Sequence, residues 1–444
     1  MNDLGHITFD GVDLAKAAEK YGTPQYIFSE RQITRNYLRI KQAFESLYGK
    51  ETMVAYAIKA NPIPEILRSL ARLGAMFEVS SLGEIYLIRQ MGIKTEKAVF
   101  TSIYKPEEAL RFLIRDGNGL IAVDSMSDLR RINSIAQETG QSISVLIRVN
   151  PCIESLRSVF SSSSPNSKVG VPADYANTKS EDTAWKLLEA ALSSDNLSLK
   201  GIHGHIGSQI VDIDLFRAFA KRLSVFMAEA ENRMNFKTHI LDLGGGFPIQ
   251  YDSGIRVPSV ESIAMALISE IRNPGFDPTL IVEPGRYIVG NAGVLLTHVV
   301  GVKNLPNLGK IAIIDASAYN ELLDAILVQW FFDIQVANKA TSDDCENVRV
   351  VGVTNDTLDH FCQSSSKVEP KPEEGSTQIG TRKLPKLQEG DTLVIKDVGA
   401  YSVSFNMNYC MMPKPQIFII KTDNTFCLAR KKESLEDLLS LWVL

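Results

Sequence analysis

Between about residue 30 and residue 285, short β-rich runs alternate with amphipathic helical stretches, and no other feature limits the fold as tightly. Strand-like runs fall at 54–58, 75–79, 98–101, 120–123, 144–149, 199–205, 239–243 and 279–282. Between them lie helical patterns at 63–73, 81–91, 106–115, 126–139, 181–193, 213–232 and 260–272. Strands alternating with helices in this way predict a (β/α)8 TIM barrel, for which about 250 residues is typical. A doubly wound open sheet is the competing α/β topology. It calls for a G-x-G-x-x-G after the first strand, and none follows here.

After residue 286 the texture changes to short β-like runs at 293–302, 310–315, 348–353, 392–396 and 416–422, separated by turn residues. The expected organisation is therefore a barrel over 31–285 and an antiparallel β domain over 286–444. Residues 368–387, rich in Lys, Pro, Glu, Gly and Ser, read as a long polar loop. A second loop at 161–165, between strands five and six, is either a lid or a plain excursion.

The chain has 444 residues, 45% hydrophobic and 22% charged, which suits a soluble globular protein with a large core. A formal net charge of −5 and the lack of any Lys/Arg block argue against nucleic acid or an anionic membrane as partner. No apolar stretch is long enough to span a bilayer, and Met1 to His6 do not begin a secretory signal. Cys152, Cys345, Cys362, Cys410 and Cys427 are odd in number and scattered, as expected of reduced thiols in the cytoplasm.

The first barrel strand ends on Tyr56-Ala57-Ile58-Lys59-Ala60-Asn61, just before Pro62. A lysine at the end of a buried strand loses water and has no obvious counter-charge beside it in the sequence. Burial lowers the pKa of an amine, and a partly neutral amine can condense with an aldehyde. A lysine that merely snorkels to solvent explains the hexapeptide by itself. His203 and His205, two apart on a predicted strand, point to one side and would suit a metal pair. His239 begins a strand at the opposite face and His6, His298 and His360 lie outside the barrel, so further ligands are lacking and no metal is expected.

Five segments in order decide between these readings. They are Tyr56 to Asn61, Gly201-Ile202-His203-Gly204-His205-Ile206-Gly207-Ser208-Gln209, Leu241-Asp242-Leu243-Gly244-Gly245-Gly246-Phe247, Glu283-Pro284-Gly285-Arg286, and Gly399-Ala400-Tyr401. Together they resemble the fold-type III pyridoxal-phosphate (PLP) decarboxylases, the group acting on diaminopimelate, ornithine and arginine, and most of all the diaminopimelate branch. The resemblance implies PLP as cofactor, a β domain like that of alanine racemase, and pairing of residues 1–30 with that domain through 8–10 and 24–28. It implies a cytoplasmic homodimer with active sites at the interface and a small amino-acid substrate. It also implies roles. Lys59 would bond the cofactor aldehyde, Glu283 face its ring nitrogen and His205 stack on the ring. Gly244, Gly245 and Gly246 would cradle the phosphate with Ser208, Gly285, Arg286 and Tyr401, and Arg286 and Tyr401 would also reach substrate. Loop glycines do leave backbone N–H groups open to an anion.

Two departures from the family pattern bear on the substrate. The family's Gly-x-x-Cys-x-x-x-Asp aligns with Gly352 to Asp359 and puts Asn355 in the cysteine's place; an amide cannot supply a proton as a thiol can. A register slip would bring Cys362 into play instead. Asp356 stands where the diaminopimelate branch has a glutamate that reads the distal amine. The arginine that grips the distal carboxylate falls near Asp324, a residue that would repel it. The expectation is a decarboxylase of specialised metabolism that does not use meso-diaminopimelate. Racemisation or another PLP reaction, or a non-catalytic regulatory homologue, are the alternatives.

Overall fold

The computed structural model describes residues 1–115, 119–153, 162–173, 179–271, 277–363 and 380–443. The chain forms two compact units, one of residues 34–248 and 257–288 and the other of residues 1–33, 249–256 and 289–444.

The first unit contains eight parallel strands: β1 Thr52–Ala57, β2 Met76–Val79, β3 Ala98–Phe100, β4 Leu120–Val123, β5 Ile143–Asn150, β6 Leu197–His203, β7 Ile240–Asp242 and β8 Thr279–Val282. Each pairs with the next, and β8 returns to β1 with Leu280 opposite Thr52, so the sheet closes as a barrel. Ala55, Met76, Val99 and Ile281 pack together as a buried layer, joined by Leu120 and Ile240. Side chains from neighbouring strands thus fill the interior, as barrel packing requires.

Local chemistry sets where the outer helices begin. Ser81, Ser125 and Thr183 each accept a hydrogen bond from the backbone N–H three residues on, and helices Leu82–Gln90, Met126–Thr139 and Ala184–Leu192 start immediately after them. After β5, Val171–Pro172 adds to the end of that strand. The serine-rich loop is tied to the segment after β6, with Ser162 N and Ser163 Oγ donating to the Ile206 carbonyl. Ser161 lies outside the described residues.

In the second unit, Gln25–Ser29 runs antiparallel to Gly293–Leu305 on one side and parallel to Gln416–Ile420 on the other. Residues 25–29 of the N-terminal segment thus lie between two strands of this unit. Thr8–Phe9 instead forms a two-stranded ribbon with Val12–Asp13. Gly309–Ile314 lies parallel to Cys345–Val351, so the sheet is mixed, with most of its pairs antiparallel. Part of the expected polar loop is a strand: Arg382–Pro385 pairs antiparallel with Cys345–Val351, with Leu384 buried. Residues 364–379 lie outside the described residues. Helix Leu14–Tyr21, capped by Asp13, turns Leu14, Ala17 and Ala18 into a core with Ile27, Leu296, Phe418 and Ile420. Full burial of a Leu or Ile side chain stabilises by about 1.5–3 kcal/mol. Among the described residues no helix is long and apolar enough to cross a membrane.

Candidate active site

β1 runs into a single 3-10 turn, Ile58–Ala60, which turns Lys59 away from the apolar strand. Asn61 N–H closes that turn on the Ile58 carbonyl, and Tyr56 Oη holds the Asn61 carbonyl at 3.0 Å. Lys59 does have a counter-charge, contrary to expectation: its Nζ is ion-paired with Glu78 of β2. The Lys59 side chain is 37% exposed, whereas that of Glu78 is fully buried. Ser80 Oγ, at 2.7 Å, and Thr101 Oγ1 donate to the second Glu78 oxygen. Burial alone would raise the Glu78 pKa, but the Lys59 charge and these donors hold it below the usual carboxylate range. Glu84, beside it, is pushed up to about 7 by burial and by the Glu78 charge.

β6 ends at His203 and His205 stands beyond the strand, yet both rings come to the same Glu283 oxygen. His203 turns inward, its Nε2 3.3 Å from Glu283 Oε2. His205 Nδ1 accepts from Gly245 N–H at 3.0 Å and lies 3.8 Å from Glu283 Oε2. Burial and then the Lys59 charge bring the His205 pKa down to about 3, so its ring is neutral with the hydrogen on Nε2. Glu283 is raised above the ordinary range by burial and by Glu78. Its Oε1 is buried and accepts no hydrogen bond among the described residues.

The loop after β7 brings the three glycines against these groups. Gly244, at φ 63°, and Gly246, at φ 104°, adopt backbone that side chains disfavour. Gly245 has a different reason: a Cβ there would lie 2.6 Å from the Glu283 carbonyl oxygen. Gly285 meets the lysine turn, since its Cβ would sit 2.9 Å from Ala60 Cβ. Arg286 Nε donates to Ser208 Oγ at 3.3 Å, which brings two of the expected cradle residues together. Lys59, His205, Ser208, Gly244 to Gly246, Glu283, Gly285 and Arg286 all follow the C-terminal ends of β1, β6, β7 and β8.

Tyr401, Asp324, Asn355 and Asp356 belong to the other unit. Tyr401 has φ 60°, and its ring lies 5.6 Å from that of Phe405. Asp324 is buried at the first residue of helix Asp324–Leu327. Asn355 is exposed. Asp356 accepts from Tyr319 Oη at 2.9 Å and from Tyr409 Oη at 3.5 Å, the two rings lying 4.4 Å apart. Gly352 abuts buried Asp359, whose oxygens accept from Ala318 N–H and Thr354 N–H. Cys362, the alternative under a register slip, is buried against Val350 N–H, and burial raises its thiol pKa.

Sequence reading missed Glu78, Asp242, Ser80 and Thr101. The readable signal was an acid in an otherwise apolar strand: Glu78 between Phe77 and Val79, Asp242 after Ile240 and Leu241.

A buried carboxylate oxygen awaiting a donor, near a lysine amine and a glycine turn, is what a protonated pyridine carrying an aldehyde and a phosphate requires. The site thus defines a barrel enzyme of the pyridoxal-phosphate class. Residues 30–290 match the pyridoxal binding domain of the pyridoxal-dependent decarboxylases, and the chain belongs to that family, in its fold-type III diaminopimelate/ornithine branch. Diaminopimelate decarboxylase of Methanocaldococcus jannaschii is 32% identical over 98% of this chain and 94% of its own. That of Bacillus subtilis is 31% identical over 99% of this chain and 96% of its own. Among solved structures, the M. jannaschii diaminopimelate decarboxylase superposes with a TM-score of 0.89 at 31% identity, covering 100% of this chain and 97% of that one. The Helicobacter pylori diaminopimelate decarboxylase in complex with L-lysine gives 0.83 at 27%, covering 96% and 98%. The chain is a PLP-dependent decarboxylase acting on an amino-acid substrate. Its residues fit the cofactor, because buried Glu283 Oε1 lacks a donor among the described residues and stands by the Lys59 amine and the glycine loop.

Proposed function

We propose that this decarboxylase takes an amino acid whose far end is an amine, amide or uncharged group, and not meso-diaminopimelate. When bound, PLP supplies an aldehyde that bonds amines and a ring that draws electrons as the α-carboxylate leaves as CO2. Lys59 Nζ would bond the cofactor, Glu283 Oε1 would face its ring nitrogen and His205 would lie against its face. Gly244 to Gly246, Ser208, Gly285, Arg286 and Tyr401 would anchor its phosphate by the family match. Asn355, in place of the family cysteine, cannot give up a proton at neutral pH. The group that can hold and return one is Lys59 Nζ, which is ion-paired with Glu78. By the same family match the enzyme works as a cytoplasmic homodimer with active sites at the interface, and its departures from the family pattern favour a specialised pathway.

The observation that carries the substrate reading is Asp324 near the family's distal arginine, with Asp356 in place of its glutamate. Opposite or like unit charges about 4 Å apart interact by roughly 4 kcal/mol at an effective dielectric of about 20. Exchanging an attraction for a repulsion disfavours a second carboxylate even after heavy screening. The names of the relatives favour the rival reading, meso-diaminopimelate itself. The experiment is CO2 release from a panel of amino acids, with borohydride reduction and peptide mapping of the holoenzyme. The expected result is cofactor fixed on Lys59, little lysine formed from meso-diaminopimelate, and at least about a tenfold gain in its relative use in Asp324→Arg, equivalent to about 1.4 kcal/mol. Efficient lysine production by the unmodified protein would overturn the substrate reading, and an adduct on another lysine would overturn the site.

A further inference from the structure

Behind Glu283 lies a cluster that the family motifs do not assign. His203 of β6 and Asp242 of β7 are direct partners in the sheet register. Together with Glu283 they bring side-chain N and O atoms within 4.8 Å of one another, all three residues buried. The bonds that do form are directional. His203 Nε2 meets Glu283 Oε2 at 3.3 Å, and Gly244 N–H donates to Asp242 Oδ1 at 2.9 Å. His203 Nδ1 has no hydrogen bond among the described residues, and Asp242 Oδ2 and Glu283 Oε1 have none while both carboxyls are bare; a proton on Asp242 lets it bond to Glu283.

Two carboxylates this close, both buried, cannot both ionise without a cation between them, so one keeps a proton. Burial and the Glu283 charge raise Asp242 well above the ordinary carboxylate range. His203 is held neutral by burial and by Arg148, which makes Nε2–H the donor to Glu283. The other charged or titratable groups acting on the cluster are Glu78, Lys59, His205, Arg148 and Lys105.

We propose that His203 and Asp242 are the positioning residues of Glu283. His203 Nε2–H holds Oε2 so that Oε1 is left for the cofactor ring nitrogen, and Asp242 keeps the cluster's one proton so that the negative charge stays on Glu283. Asp242 also ties this carboxylate to the glycine loop through Gly244. Ring nitrogen and phosphate cradle are thereby set by one buried unit. The inference rests on the reading that Glu283 faces the ring nitrogen.

The test follows the absorbance of the bound cofactor in the holoenzyme from acid to alkaline pH. PLP affinity and apoprotein melting are measured alongside. Glu283→Gln is the reference and should displace the spectral midpoint by at least about one pH unit, tenfold in proton affinity. If it titrates as the wild type, the Glu283 reading itself fails. Asp242→Leu should displace the midpoint as Glu283→Gln does, whereas Asp242→Asn, a neutral donor of the same shape, should restore the wild-type curve. His203→Gln carries an amide near the Nε2 position and should titrate as the wild type, while His203→Asn should not. Wild-type curves for Asp242→Leu and His203→Asn, beside a displaced Glu283→Gln, would overturn the inference. So would an Asp242→Asn curve displaced as far as that of Asp242→Leu. If the leucine variant does not fold, the two His203 variants decide the matter.

Discussion

The barrel unit and the β unit carry opposite buried carboxylates. In the barrel, Glu78 is held below its ordinary range because a lysine amine and two hydroxyls converge on it. In the β unit, Glu321 is pushed up to about 8, chiefly by burial, with a backbone donor from Ser317 and, among the described residues, no cation ion-paired with it. The first arrangement keeps a charge where chemistry needs one; the second keeps an acid neutral inside a core. The same contrast runs through the motifs. The barrel's family motifs stand on strand ends and are fixed by backbone geometry. The departures, Asp324, Asn355 and Asp356, stand in the β unit on a short helix and a loop, where a side chain can change without moving a strand.

Lys59→Ala should break this contrast most forcefully. It removes the amine and leaves Glu78 buried without its cation, and CO2 release should fall by at least about 10^3-fold, the scale of losing a nucleophile. Retention of activity within tenfold would mean the lysine is not the reacting amine. A smaller effect is expected from Gly245→Ala, whose Cβ would meet the Glu283 carbonyl oxygen at 2.6 Å. Overpacking of this kind costs about 1–3 kcal/mol, visible as a lower melting temperature and weaker PLP binding. Gly309→Ala in the β unit is the control: nothing lies within 4 Å of its Cβ, although φ is +70°. It should cost no more than about 1 kcal/mol and leave PLP binding unchanged.

The smallest effect expected is one of pH on the β unit. An acid whose folded-state pKa is raised binds its proton more tightly folded than unfolded. The stability it contributes is complete below the unfolded value, about 4.3, and is lost as pH rises through about 8. Glu78 works in the other direction, its contribution being lost as pH falls. Glu321→Gln should therefore flatten the alkaline decline in melting temperature and leave the acid limb in place. A variant with the same alkaline decline as the wild type would show that Glu321 is not its source.

Eight strands with their order, the lysine at the end of the first and the glycine loop after the seventh were all readable in the chain, because each has a local cause. Apolar runs between breakers set the strands to within about two residues. Ser81, Ser125 and Thr183 set helix starts, and positive φ demanded glycine at two of the three loop positions. The distal-substrate departures were legible too, as residue identities at motif positions. What the linear chain could not disclose is every partnership across strands. Glu78 meets Lys59, and His203 meets Glu283, over 19 and 80 residues of sequence. Local pattern also extended β6 to His205 and read Arg382–Pro385 as loop, since a strand's limits depend on which neighbour offers it hydrogen bonds. Sequence fixes local propensity and the chemistry available. Only closure of the barrel sets which charges share a low-dielectric interior, and so which of them keep their protons.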